Sequence, residues 1–322
     1  MIPDLSRNIG LDLVRVSETA ALAAARWAGS GNYVAAHRAA SRAMSDALMG
    51  LEIQGHIVIG EESHPGTPDC LCSASLVGTG QGPELDVVVD PIDGTNLLIK
   101  GRPNAISVVG MAPRGSLWSP VPAVYMEKIV VDRQAAEALV PECMDAPAAW
   151  TLALIARVKK KAVRDLTVIV LDRPRHDHLV AEIRAAGARI LLREEGDTEG
   201  ALLVASLDTG ADVLMGIGGA AQGVIAACAV KALGGGMLAR LAPQTHEEWA
   251  AVTQAGLDTR QVLTCDDLVH GQEIFFAATG ITQSALLPPT IFHSRHVETH
   301  SLLLRGATGT RRFIKAEHAE HL

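Results

Sequence analysis

Aromatic side chains are scarce in this chain of 322 residues, where phenylalanine, tryptophan and tyrosine together make up 3%. A core must therefore be packed mainly from alanine, valine, leucine and isoleucine, within a hydrophobic content of 48%. Since a chain of this length and composition can bury a large core, we expect a globular protein with two lobes.

Cysteine is also sparse, because the chain has five and they form neither a C-x-x-C pair nor a regular framework. We expect reduced thiols and no disulfides. A G-x-S-x-G motif is missing, and the closely spaced Cys70 and Cys72 have no motif that links them to a base. Covalent acyl or phosphoryl chemistry therefore has no sequence support. The cysteines are Cys70, Cys72, Cys143, Cys228 and Cys265.

Long apolar runs and an excess of positive charge are both missing. The longest apolar stretch, 216–230, is rich in glycine and ends before Lys231, short of the ~20 residues that a membrane span needs. The N-terminus lacks a basic segment followed by an uninterrupted apolar one, so secretion is not expected. A net charge of −8 argues against non-specific binding to nucleic acid or membrane. These absences predict a cytoplasmic protein with a small-molecule ligand.

Two predicted strands end on acidic residues. HIVIGEES indicates a strand over 56–59 that delivers Glu61 and Glu62 at its exit, and LDVVVD delivers Asp90, with Asp93 three residues later. Two carboxylates held a few ångströms apart repel each other unless a cation lies between them. Mg²⁺ or Mn²⁺ would supply that charge, since both prefer oxygen ligands. The alternative for a D-x-x-D pattern is an Asx-turn with a helix cap.

The remaining pattern predicts an α/β fold. Two helices precede the first strand, and beyond a Pro- and Ala-rich region at 140–149 strands alternate with helices, which favours parallel βαβ units. We place the lobe boundary there, giving lobes of 1–148 and 149–322. The tail KAEHAEHL is expected to be a frayed end rather than a metal site.

DPIDGTN, together with the upstream GEE, resembles the inositol monophosphatase and fructose bisphosphatase superfamily. More of the chain resembles the class II fructose-1,6-bisphosphatases, whose motif order is matched by IVIGEE, VGTGQGPELDVVVDPIDGT, NAISVV, VYMEKIVV, RPRHD, EGDT, ADVLMGIGGAAQGV, ATGIT and LLLRG. The resemblance implies a layered α/β/α/β/α architecture and a metal-dependent phosphatase of sugar bisphosphates. It also implies a homodimer or a dimer of dimers.

The resemblance also assigns roles to residues. In the N-terminal lobe it implies a metal site with Mg²⁺ or Mn²⁺, and in the C-terminal lobe it implies substrate contacts. The implied metal ligands are Glu61, Asp90 and Asp93, which with Thr95 form the catalytic set. The implied substrate contacts are Asp93, Gly94, Thr95, Tyr125, Arg173, Arg175, Glu195, Gly196, Asp197 and Gly219.

Four positions depart from the family pattern. Tyr33 and His37 stand where the family has Lys and a metal-binding Asp, Gln222 replaces an acidic ligand, and Glu195 replaces the first Asp of Asp-Gly-Asp. His37 could ligate through its imidazole, which would favour Mn²⁺ or Zn²⁺, or it could be a histidine of the helix surface. Gln222 could coordinate through its amide oxygen, without charge. The number of metals is therefore open.

We therefore expect a phosphatase that hydrolyses fructose 1,6-bisphosphate or a longer C7 or C8 sugar bisphosphate by metal-activated water. One alternative is a catalytically weak or silent relative that binds sugar phosphates in regulation or assembly. Another is a dehydrogenase, because 216–221 imitates a dinucleotide-binding fingerprint, but the acid expected about 20 residues further on is missing.

Overall fold

A computed structural model of the chain describes residues 9–61 and 71–319. Glu62 and Cys70 lie outside the described residues. The described helices are α1 (Ile9–Ala25), α2 (Tyr33–Met49), α3 (Thr95–Ile99), α4 (Ala148–Lys159), α5 (Asp177–Ala185), α6 (Asp197–Ala205), α7 (Ala220–Ala232), α8 (His246–Gln254) and α9 (Cys265–Leu268).

The described strands are β1 (Gln54–Ile59), β2 (Leu76–Val77), β3 (Glu84–Asp93), β4 (Ile106–Pro113), β5 (Tyr125–Val131), β6 (Thr167–Leu171), β7 (Arg189–Arg193), β8 (Val213–Gly219), β9 (Gly236–Leu241), β10 (Leu263–Thr264), β11 (Phe275–Gly280), β12 (Ile291–Phe292), β13 (His296–Arg305) and β14 (Thr310–Ala319). The two helices predicted before the first strand and the predicted strands and helices of the second half are confirmed. None of the described helices has the length and apolarity that a membrane span requires.

The chain forms two compact units, one of Met1–Leu117 with Gly271–Leu322 and one of Trp118–His270. This division differs from the boundary predicted near 148. The physical reason is strand pairing, because β5 joins the sheet of the second unit and β11 to β14 return to the sheet of the first. Local composition, on which the predicted boundary rests, does not report which strands pair.

The first unit contains a sheet with the order β12-β13-β11-β4-β3-β1-β2, and β14 pairs with β13. Strands β1 and β3 are parallel, whereas the other pairs are antiparallel. Every residue of β3 after Glu84 is buried. Leu13 of α1, Met44 of α2 and Val87 of β3 belong to one apolar cluster, so both helices pack on this sheet. Burial of that cluster stabilises the strands that lead to the acidic residues.

The C-terminal tail is ordered as a strand, and the expectation of a frayed end is wrong for residues 315–319. Strand β14 pairs with β13 from His296 opposite Ala319 to Arg305 opposite Thr310. Lys315 Nζ also lies 2.7 Å from Glu298 Oε2. The sequence indicates this strand only weakly. Most β14 side chains are exposed or partly buried, so many positions of the strand are polar and the apolar pattern of a strand is missing.

The second unit contains a sheet with the order β10-β9-β5-β8-β6-β7. The predicted parallel βαβ arrangement holds for β6, which pairs in parallel with both β7 and β8. It does not extend further, because β5 is antiparallel to β8 and β9, and β10 is antiparallel to β9. The two mixed sheets with their helices confirm the predicted α/β fold class.

The first unit buries a carboxyl group at Glu18, which is 6% exposed. Thr299 and Ser301 donate hydrogen bonds to its Oε1 at 3.1 and 3.3 Å. Burial raises the pKa of Glu18 above its ordinary value, although His318 and the two hydroxyls act in the opposite direction. The folded chain therefore holds this proton at pH values where the unfolded chain has released it. Stability is lost as the pH rises from the unfolded pKa through the raised folded pKa.

We predict that Glu18→Gln weakens this pH dependence, because the amide cannot ionise. The melting temperature of the variant, relative to that of the wild type, should rise as the pH increases from 4.5 to 8. Thermal unfolding across that range measures the effect, with Glu84→Gln on an exposed side chain as the matched control. Parallel curves for the wild type and Glu18→Gln would contradict the assignment.

Candidate active site

Two predicted metal ligands lie at the same edge of the first sheet. Ile59 of β1 pairs with Val88 of β3 in a parallel register, and Glu61 and Asp90 each follow two residues later. Neighbouring strands are about 4.8 Å apart, so the parallel pairing brings these two acids to adjacent positions. Glu61 is 7% exposed and Asp90 is 5% exposed. The carboxylates are therefore held at a largely buried strand end.

Gly60, between β1 and Glu61, allows the backbone to pack closely against the segment at Leu71. A Cβ at Gly60 would lie 2.0 Å from the carbonyl oxygen of Leu71, so only glycine fits. The Glu61 N–H donates to the same carbonyl at 2.8 Å. The glycine in the GEE motif thus has a steric role that fixes the backbone of the first acid.

The DPIDGT segment turns sharply between β3 and α3. The Ile92 N–H donates to Asp90 Oδ1 at 3.1 Å, so the Asx-turn considered from the sequence is present. A register shift in the pairing with β4 lies between Asp90 and Asp93. Gly94 adopts φ +92° as the N-terminal cap of α3, with no side-chain cap, and the Thr95 hydroxyl donates to the Ile92 carbonyl at 3.1 Å. The turn keeps Asp93, which is 5% exposed, beside Thr95, which is 7% exposed.

His37 is buried on α2 and bonds to a predicted metal ligand. Its Nε2 lies 2.5 Å from Glu61 Oε2, and its Nδ1 lies 3.4 Å from Ser41 Oγ. Tyr33 stacks on the imidazole with 6.0 Å between ring centroids and 4° between planes. At 2% exposure, His37 is not a histidine of the helix surface, so that alternative is wrong. Two of the four departures from the family pattern, Tyr33 and His37, contact each other.

The acids at this strand end are of the donor type that a hard divalent cation takes, although they are not among the described ligand atoms that lie within 4.8 Å of one another. Glu61, Asp90 and Asp93 offer carboxylate oxygens, which Mg²⁺ and Mn²⁺ prefer. Burying several carboxylates together is unfavourable without a neutralising charge. Because His37 directs Nε2 at Glu61, this contact orients the carboxylate.

The second unit holds Arg175 in a fixed position. Its Nε and Nη2 donate to the Ile217 carbonyl at 3.1 and 2.9 Å, and its guanidinium carbon lies 5.1 Å from the centroid of the Tyr125 ring. Tyr125 pairs with Gly219 across β5 and β8, so these predicted substrate contacts meet at one end of that sheet. Arg173 donates to the Asp172 carbonyl at 3.0 Å and lies at the same turn.

His176 supports this arrangement as a neutral side chain. Its Nδ1 lies 2.7 Å from the Leu171 carbonyl, and its Nε2 accepts the Ile217 N–H at 2.8 Å. Burial lowers the pKa of His176, with a smaller effect of Arg175 in the same direction, against the Leu171 carbonyl, which raises it. Gly216 has φ +124°, and a Cβ there would lie 2.9 Å from His176 Nε2. Sequence analysis did not identify His176 as part of the site.

The remaining predicted contacts lie at helix starts of the second unit. Gly196 adopts φ +88° as the N-terminal cap of α6, between the partly buried Glu195 and the buried Asp197. Gln222 lies in the first turn of α7, and its Oε1 would be 1.9 Å from a Cβ at Gly219. A side chain at 219 would therefore require the Gln222 side chain to move, whether or not a nucleotide binds.

Another group of potential metal ligands lies on β13 and before it. Ligand atoms of His293, His296 and Glu298 all lie within 4.8 Å of one another. Glu298 is already paired, because Lys315 Nζ lies 2.7 Å from its Oε2 and His300 Nε2 lies 3.1 Å from its Oε1. The predicted site has no residue in this group.

The buried acids at the strand end of the first unit offer the oxygen donors that metal-dependent phosphatases use. A family model described as bacterial fructose-1,6-bisphosphatase, glpX-encoded, matches residues 7–318. The chain belongs to this family.

Three relatives cover almost the whole chain. A fructose-1,6-bisphosphatase class 2 of Haemophilus influenzae is 36% identical over 327 residues, which cover 98% of this chain and 97% of the relative. Two proteins of Synechococcus sp., strains JA-3-3Ab and JA-2-3B'a(2-13), are each 34% identical over 339 residues, with 98% and 96% coverage. Both are named D-fructose 1,6-bisphosphatase class 2/sedoheptulose 1,7-bisphosphatase.

We predict that Gly94→Ala impairs turnover beyond its effect on stability. A Cβ at Gly94 would lie 3.1 Å from Leu97 Cδ1, and φ +92° is unfavourable for alanine. Gly115→Ala is the matched control, because Gly115 has φ +79° with nothing within 4 Å of its Cβ. Each variant should lose about 1–2 kcal/mol of unfolding free energy.

Only Gly94→Ala should lower kcat, by roughly tenfold or more, because the turn beside Asp93 shifts. Equal kcat values in the two variants would show that the turn geometry is not used in catalysis.

Proposed function

We propose that this protein hydrolyses a phosphomonoester of a sugar bisphosphate with the help of a divalent cation. The observation that carries the proposal is the parallel pairing of β1 and β3, which brings Glu61 and Asp90 to one edge beside the turn at Asp93. Fructose 1,6-bisphosphate is the first candidate, and the names of the relatives support a C7 bisphosphate as well. A C8 bisphosphate remains within the same proposal.

Glu61, Asp90 and Asp93 would hold the cation, with Mg²⁺ or Mn²⁺ favoured by their oxygen donors. When bound, such an ion lowers the pKa of a coordinated water and neutralises charge on the phosphoryl group. His37 keeps Glu61 oriented through the 2.5 Å contact between Nε2 and Oε2. Because this contact occupies Nε2 of His37, the imidazole is not proposed as a metal ligand, and Zn²⁺ is therefore less favoured than Mg²⁺ or Mn²⁺. Glu61 or Glu62, the second of which lies outside the described residues, would help to orient or deprotonate the attacking water.

Thr95 and the residues around it would bind the phosphate that is released. Backbone N–H groups at the turn of Asp93, Gly94 and Thr95 suit phosphate oxygens. In the second unit, Arg175 presents a guanidinium held by Ile217 and Tyr125, which suits a phosphate of the substrate. Asp197 suits sugar hydroxyls as an acceptor. Arg173, Glu195, Gly196 and Gly219 complete the proposed substrate contacts.

We also propose a cytoplasmic enzyme that assembles as a homodimer or a dimer of dimers. The described cysteines Cys143, Cys228 and Cys265 are free thiols, which suits a reducing compartment. Burial raises the pKa values of Cys228 and Cys265 to about 12, so neither thiol ionises at neutral pH. Light scattering on the purified chain would measure the assembly.

Phosphate release from a panel of C6, C7 and C8 sugar bisphosphates, each with Mg²⁺, Mn²⁺ or Zn²⁺, tests the proposed activity. We expect release with Mg²⁺ or Mn²⁺ from at least one substrate, and none from Asp90→Asn, which should fold as well as the wild type because it removes one of several crowded charges. Absence of release with every metal would instead favour a silent relative that binds sugar phosphates. Full activity in Asp90→Asn would contradict the metal assignment.

We predict that Gln222→Glu lowers the Mg²⁺ concentration needed for half-maximal activity, because it restores the acid that the family pattern has at this position. A reduction of roughly tenfold corresponds to one added charge–charge contact of about 1.4 kcal/mol. Gln254→Glu, at an exposed position near the end of α8, adds the same charge elsewhere and is the control. An identical Mg²⁺ dependence in both variants would show that position 222 does not act on the metal.

A further inference from the structure

Lys128 is a buried cation in the middle of a strand. It lies on β5, is 1% exposed and is among the largest fully buried side chains of the described residues. Burying an ammonium costs several kcal/mol unless it is paired and hydrogen-bonded. Its Nζ donates to Asp197 Oδ2 and also to the Gly219 carbonyl, at 3.1 Å in the second case. Sequence analysis did not single out Lys128, because VYMEKIVV has the composition of a strand.

The glycines of β8 and α7 make room for this cation and its partner. A Cβ at Gly218 would lie 2.1 Å from Asp197 Oδ2 and 2.8 Å from Lys128 Nζ. A Cβ at Gly223 would lie 2.5 Å from Met126 Sδ and 3.4 Å from Lys128 Cδ. The glycines in the segment that imitates a dinucleotide-binding fingerprint therefore have another physical explanation. They allow β8 and α7 to approach a buried ion pair closely.

Both contacts of Lys128 fall on proposed substrate contacts. Asp197 would accept a sugar hydroxyl, and Gly219 lies opposite Tyr125 in the sheet. A buried ion pair adds little net stability compared with an apolar pair of the same size, so stability alone does not account for a lysine at this position. A lysine that fixes both Asp197 Oδ2 and the Gly219 carbonyl sets their separation and orientation.

We propose that Lys128 is a positioning residue for substrate binding. It holds the carboxylate of Asp197 through Oδ2, so that Oδ1 meets a hydroxyl of the sugar phosphate, and it fixes the Gly219 backbone beside that carboxylate. This inference rests on the proposed function, since it assigns Asp197 and Gly219 to the same substrate. The lysine acts through Asp197 and makes no contact with the reacting phosphate.

The test compares Lys128→Met with Arg193→Met. Arg193 also makes a buried ion pair in the second unit, with Glu199 of α6, but neither residue is a proposed substrate contact. Both variants should lose stability, because each leaves a buried carboxylate without its cation. Only Lys128→Met should raise the KM with Mg²⁺, and the calorimetric Kd for fructose 1,6-bisphosphate measured without a divalent cation so that it is not hydrolysed, by roughly tenfold or more, with a smaller change in kcat.

A double variant separates action through Asp197 from a general effect on the fold. If Lys128 acts through Asp197, Lys128→Met combined with Asp197→Asn should recover stability, and its KM should equal that of Asp197→Asn alone. If Lys128→Met does not fold, Gly218→Ala takes its place, since its Cβ displaces the same ion pair while both charges remain. A rise in KM and Kd is expected there as well.

KM and Kd values of Lys128→Met within twofold of those of Arg193→Met would overturn the proposal, and so would an unchanged KM in Gly218→Ala where that variant is used. A wild type that binds the sugar bisphosphate without turnover would refute the proposed activity, and the Kd comparison would still decide the role of Lys128. A wild type that neither binds nor hydrolyses any C6, C7 or C8 sugar bisphosphate of the panel would overturn both.

Discussion

Strands β1 and β3 run parallel, and this pairing determines where the acids of the first unit lie. Because side chains alternate along a strand, a shift of one residue in the register would turn Asp90 toward the opposite face. The buried valines from Val87 to Val89 and the helices that pack on them oppose such a shift. The packing of the core therefore determines where the carboxylates at the strand end lie. The position of Glu61 also depends on Gly60, which allows the backbone to pass close to Leu71.

Buried pairs of a lysine or arginine with a carboxylate are the second recurring feature, and those among the described residues lie in the second unit. Lys159 Nζ lies 2.8 Å from Asp132 Oδ2 and 2.6 Å from Asp212 Oδ1, and burial opposes each charge. Burial alone would lower the pKa of Lys159, but the two carboxylates outweigh this effect and raise it. Burial alone would raise the pKa of Asp212, but Lys159 and Lys161 outweigh this effect and lower it. Lys128 and Arg193 also lie in buried ion pairs, with Asp197 and Glu199. Small residues beside them, such as Gly218, allow cation and anion to meet away from water.

Local sequence was sufficient to predict that Glu61 and Asp90 follow strands and that Gly94 lies in a sharp turn, because each lies next to a strand whose apolar pattern is clear. Local sequence was not sufficient to predict the contacts of His37 and Lys128. Their partners are 24 and 69 residues away in the sequence and are brought close by tertiary packing. The helix position of His37 was predicted, but its burial depends on how α2 packs. The division of the chain into units was missed for the same reason, because strand pairing across long separations decides it.

The claim that the strand-end acids bind a divalent cation is tested most directly by counting bound Mn²⁺ with electron paramagnetic resonance. The wild type should bind Mn²⁺, Asp90→Asn should lose that binding, and Glu298→Gln, at the separate group on β13, should retain it. Mn²⁺ binding that is unchanged in Asp90→Asn but lost in Glu298→Gln would contradict the claim and would move the metal to the other end of the chain.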